Sequence, residues 1–186
     1  MNPSNMDPKL WIVLAVVVIA VIVIAWMVTR KRRTQALQHR FGPEYDRTLR
    51  EKGDRAEAEL LERQKRVEKF SIRELSAAER ERFVTDWRAV QSRFVDDPKS
   101  AVRDADELVT RLMQTRGYPM SNFEQRAADI SVDHPRVVDN YRAAHEIALR
   151  HQSGQATTED LRNAIIYYRS LFDELLSRPA QTREVA

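Results

Sequence analysis

The chain has no cysteine, and only four glycines and seven prolines among its 186 residues. The missing thiols exclude disulfides, thiolate nucleophiles and Cys-ligated zinc, and they suit a reducing compartment. With few of the residues that interrupt regular structure, and with runs of Ala, Glu, Arg and Leu, helix is favoured over strand. The short motifs of familiar chemistry are missing too. There is no Gly-rich phosphate loop, no Walker pattern and no nucleophile elbow. His145 and His151 stand six apart, so they do not share a helix face as the i, i+4 ligands of a zincin do.

Charge of one sign is scarce everywhere except in one strip. The chain carries 31 Lys and Arg against 28 Asp and Glu, a net +3, with a pI of about 9.3. Residues 30–40 hold Arg30, Lys31, Arg32, Arg33 and Arg40 and no acid, whereas residues 41–186 hold 25 bases and 27 acids. All the excess basicity thus sits in eleven residues, and the remainder is mildly acidic. A surface that tracks nucleic-acid phosphates needs the opposite distribution, so no nucleic-acid partner is expected.

What the chain does have is one long apolar run. Leu10 to Val28, LWIVLAVVVIAVIVIAWMV, is 19 residues without a charge. As a helix it covers roughly 28 Å, near the hydrocarbon thickness of a bilayer. Trp11 and Trp26 stand near its ends, where indoles prefer the membrane interface. A cleaved signal peptide carries its positive charge before the apolar run and small residues after it. Here Arg30, Lys31, Arg32 and Arg33 follow the run, and Trp26, Met27 and Val28 occupy the place of a cleavage site. The expectation is a single-pass span of the cell membrane with its N-terminus outside and the 158 residues after Val28 cytoplasmic. The basic strip reads first as an orientation signal, and second as a contact for anionic lipid headgroups.

The expected divisions are a short tail (1–9), the transmembrane helix (10–28), a basic strip and charged helical linker (29–75), a helical domain (76–178) and a flexible tail (179–186). In the linker, DRAEAELLERQKRVEKF has many opposite charges three or four apart and only Leu60, Leu61 and Val67 as apolar residues. It reads as a solvated stalk, or as a weak coiled coil in a homo-oligomer. From Ser76 the punctuation is clean. Ser76 to Glu79 forms a capping box, and Phe83, Trp87, Val90 and Phe94 follow on one face. Asp97–Pro98 opens a second helix with Val102, Ala105, Leu108, Val109 and Leu112, stopped by Gly117. Ser121 to Glu124 reads as another capping box, for a helix to about Ser131. Asp133 or His134 should cap the next helix, with Pro135 in its first turn. Thr157 or Thr158 starts the last, with Leu161, Ile165, Tyr168, Phe172 and Leu175 inward and Ile166 outward. The fold class expected is all-α: a membrane helix, a charged stalk and a bundle of about five helices.

The stretch FEQRAADISVDHPRVVDNYRAAH, Phe123 to His145, is the densest in polar chemistry. Asp129, Asp133, His134 and His145 are its candidates for a metal or acid–base site, though no ligand spacing supports them. On a helical wheel His145 falls on the apolar side, where a core histidine bonded to a carbonyl or a tyrosine is the plainer expectation. Arg142, Glu146 and Arg150 fall on the opposite side as an i, i+4 ladder. The stretch therefore reads as a helix joint, with no cofactor expected.

Several phrases also carry a resemblance: RFGPEYDRTLREKGDRAEAE, IRELS, VQSRFVDDPKSAVRDADELVTRLMQTRGYP, FEQRAADISVDHPRVVDNYRAAHEI and TTEDLRNAIIYYRSLFDELL. Across roughly residues 40 to 176 the chain resembles a set of uncharacterised bacterial single-pass membrane proteins, some of them labelled secreted. The resemblance implies a bacterial source and brings no activity, ligand or catalytic residue. A secreted domain conflicts with the positions of the basic residues. The expected role is a membrane-tethered module whose partners are the bilayer and another protein at the cytoplasmic face. The alternative is a metal-binding or hydrolytic domain around Asp129–His145.

Overall fold

The structure, a computed structural model, describes residues 8–177; the expected C-terminal tail (179–186) and residues 1–7 of the expected N-terminal tail (1–9) lie outside the described residues. Within that range there is no strand, and the chain divides between Arg40 and Phe41 into two units.

The first unit is one helix. α1 (Pro8–Phe41) continues without a break from the apolar run through the basic strip, so the strip is helical and not a loop. Leu14 to Val28 is exposed on every face and has no core of its own. With this stretch apolar and exposed all round, the helix is long and apolar enough to cross a membrane.

The second unit begins with α2 (Pro43–Lys52), a single 3-10 turn (Gly53–Arg55) and α3 (Ala56–Val67). Then come α4 (Ala77–Asp96), α5 (Pro98–Thr115), α6 (Phe123–Asp133), α7 (Val138–Gln152) and α8 (Thr158–Ser177). α5 lies against α4, α7 and α8; α7 pairs with α8; α3 packs on α2 and on α6. The unit therefore starts at Phe41 and not at Ser76. The segment expected as a solvated stalk is half core: Ala56, Leu60 and Val67 are fully buried. Three apolar positions at 4 and 7 spacing suffice to dock a short charged helix when a neighbour offers a face, and α6 does.

Local signals explain the boundaries. Ser76 Oγ accepts from the Glu79 amide at 3.2 Å, and Glu79 Oε2 accepts from the Ser76 amide at 2.9 Å. Asp97 accepts from the Ser100 amide ahead of Pro98, and Thr157 shares a reciprocal cap with Asp160. Two expected caps move. Asn122 caps α6 through the Gln125 amide, so Ser121 is one residue too early. α7 begins after Val137 without a side-chain cap, because Asp133 ends α6 and His134 closes it.

One core cluster joins α4, α5, α6, α7 and α8. Trp87 of α4 stacks on Phe172 of α8 with ring centroids 4.7 Å apart and planes 19° apart. Leu108, Leu112 and Met113 of α5 meet Leu171 and Leu175 of α8 in the same cluster, each worth about 1.5–3 kcal/mol on burial. Two arginines finish α8: Arg80 donates to the Leu176 carbonyl, and the buried Arg116 to the Leu175 carbonyl at 2.7 Å. Cations at the last carbonyls complement the helix dipole.

Candidate functional site

Of the four residues singled out between Phe123 and His145, only Asp133 and His134 sit at the joint of α6 and α7, and each of the four is engaged separately. Asp129, on the α3-facing side of α6, accepts from Arg66 Nε at 2.9 Å and from Gln125 Nε2 at 2.8 Å. Asp133 accepts from the Tyr118 hydroxyl at 2.9 Å. His134 sets Nδ1 3.2 Å from Glu174 Oε1 of α8. Its burial lowers its pKa, with Glu174 pulling the other way, and at 2% exposure its ring is closed to any substrate. Among the described residues no three His, Asp or Glu side chains converge as metal ligands.

His145 departs from expectation. It is half-buried, and its ring lies flat on Phe123, centroids 3.6 Å apart and planes 10° apart. Its Nδ1 is shielded from solvent with no hydrogen-bond partner among the described residues, instead of reaching a carbonyl or a tyrosine. Desolvation lowers its pKa, which keeps the ring neutral at pH 7 and suits stacking.

The strongest polar feature of the unit was not visible in the sequence. Glu44, in the first turn of α2, is buried at 1% exposure. Its carboxylate receives Arg63 Nη1 of α3 at 2.7 Å and both Nη1 and Nη2 of Arg142 of α7, at 2.7 and 2.9 Å. Arg142 is thus drawn away from the expected Glu146 ladder, and Arg150 turns to Asp160 of α8 at 3.4 Å. Burial works against the Arg142 charge, but Glu44 more than offsets it and the pKa is raised. An acid after Pro43 reads as a helix-dipole partner, and nothing local marks it for burial. A second bond crosses the core: Tyr168 donates to Asp106 at 2.9 Å, and burial holds its hydroxyl well above the usual range.

On α1, Arg30 stands over the ring of Trp26 with its guanidinium carbon 5.3 Å from the centroid. Trp11, Trp26, Lys31, Arg32 and Arg33 are all exposed.

Among the described residues, fold and side-chain geometry together define an all-α protein with one membrane-length helix and a helical unit tied by buried ion pairs. Compared with protein-family models, with curated proteins and with solved structures, the chain matches none.

Proposed function

We propose that the protein is a single-pass membrane protein whose helical unit works on the cytoplasmic side as a tethered protein-interaction module. The observation that carries this reading is α1: its apolar run from Leu14 to Val28 is exposed all round, and after Thr29 comes a strip of four consecutive bases. Exposed apolar surface on every face suits lipid, and basic residues are retained on the cytoplasmic side. A bacterial cell membrane is the setting in which the resemblance and the charge pattern agree. The polar side chains of the helical unit support an adaptor role, since Asp129, Asp133, His134 and Glu44 are committed to neighbouring helices. Ile166, at 54% exposure on α8, is a residue through which a partner would be engaged.

Two measurements test the reading. Ser177 is exposed at the end of α8, and a cysteine there would be the only thiol in the chain. Ser177→Cys should resist a membrane-impermeant maleimide in intact cells and react after lysis; labelling of intact cells would put the unit outside. A photo-crosslinker at Ile166 should give a discrete adduct that the α1 anchor alone does not. Identical crosslinks from both would remove the interaction role.

A further inference from the structure

We infer that the face of α1 just past its apolar run is a binding site for one anionic phospholipid. The inference rests on the reading of α1 as a bilayer span and specifies what that span holds. Two adjacent i, i+4 rows, Trp26–Arg30–Thr34–Gln38 and Met27–Lys31, border a shallow groove. The chemistry along it changes in order: indole and thioether, then two cations, then a hydroxyl and an amide. A phospholipid presents its own parts in the matching order of acyl chain, phosphate and polar headgroup.

Depth agrees with this order. Arg30 and Lys31 stand roughly 3 to 4.5 Å along the axis beyond Val28, and the headgroup layer is about 5–7 Å deep on each side of the hydrocarbon. The two cations therefore lie at phosphate level. Trp26 holds Arg30 from beneath through the cation–π contact, which leaves the N–H edges of the guanidinium to receive a phosphate oxygen pair. No acid occurs between Leu10 and Arg40 to compete for these cations. Trp26 and Met27 carry the apolar surface into the groove, which favours a lipid over free phosphate. Arg32 projects from another side of the helix, so the groove is a place on the strip and not the strip as a whole.

Trp26 reports on its own neighbours. The full chain, with Trp11→Phe and Trp87→Phe to leave Trp26 as the sole indole, is reconstituted into vesicles with brominated phosphatidylglycerol or brominated phosphatidylcholine at equal mole fraction. Quenching of Trp26 should favour the anionic lipid about fivefold. Arg30→Gln with Lys31→Gln should abolish the preference, Arg30→Lys should keep it, and Arg32→Gln with Arg33→Gln should leave most of it. Equal quenching by the two lipids would overturn the lipid site while leaving the span intact. Equal losses in the two double variants would overturn the groove, and so would reversal of the preference by millimolar inorganic phosphate. No quenching by either lipid would overturn the span, and this inference with it.

Discussion

Arg142 grips Glu44 with two hydrogen bonds, 2.7 and 2.9 Å long, across 98 positions of the chain. The contact ties α7 to α2, and through Arg63 to α3, so that the first helices of the unit are held to the later ones by charge as well as by Leu60 and Val67. A carboxylate at 1% exposure is tolerated because both its oxygens are occupied by guanidinium donors.

Removing one member of that triad should therefore cost far more than removing all three. Glu44→Ala leaves two largely desolvated guanidiniums and should destabilise the unit by about 3–5 kcal/mol. Glu44→Leu combined with Arg63→Met and Arg142→Met should recover most of that loss. Thermal melts of the full chain in mild detergent, followed by near-UV dichroism, measure both. A triple variant as unstable as Glu44→Ala would contradict the account.

Gly117 should be among the least replaceable residues. It holds φ at +96°, and an added Cβ would lie 2.4 Å from the Ser71 carbonyl oxygen, a backbone atom that cannot swing away. Gly154 has φ of +74° but open space around it. Gly154→Ala should cost about 1–2 kcal/mol of backbone strain alone, and Gly117→Ala clearly more. Equal melting temperatures for the two variants would show that the approach of the Ser71 segment does not matter.

Acid should weaken the fold in two separate windows. His134 and His145 have folded pKa values below their ordinary 6.5, through desolvation in both cases. The unfolded chain binds more protons there, so their contribution is complete above about pH 6.5 and declines as the pH falls below it. His134→Gln together with His145→Gln should flatten stability between pH 7 and pH 5. The second window belongs to Glu79, whose carboxylate is held down at about 2 from an ordinary 4.5 by Arg73 and Ser76. Its contribution is present above 4.5 and is lost as the pH falls towards 2, and Glu79→Gln should remove that step. Melts at stepped pH separate the two windows.

Tyr168→Phe should cost about 1–1.5 kcal/mol, the net worth of the bond to Asp106, while leaving the ring packing intact. In an Asp106→Asn background the same change should cost less, because the acceptor charge has gone. A double-mutant cycle with no coupling would show that the bond contributes nothing.

Much of this architecture is legible in the chain. The caps at Ser76, Asp97 and Thr157 form as their residues predict, because each bond closes within three positions and needs no distant partner. The stripes from Phe83 to Val90 and from Val102 to Leu112 bury as their spacing requires, and Ile166 stays out. The joint failed in detail for the same reason that the caps succeeded. Whether Asp133 caps α7 or accepts from Tyr118 depends on where a loop residue 15 positions away arrives, and His145 found a ring where a hydrogen bond was expected.

The sequence by itself determined the helical class, the ends of most helices, the apolar run with its basic flank, and the faces that pack. These follow from interactions a few residues long, whose partners are covalently kept near one another. Only the tertiary structure decided that Phe41 and not Ser76 opens the folded unit, that α3 is half core, and that Glu44 belongs to Arg63 and Arg142. A charged residue looks the same in sequence whether it faces water or another charge. Its burial depends on two helices meeting, and that is a property of packing over a hundred residues of chain.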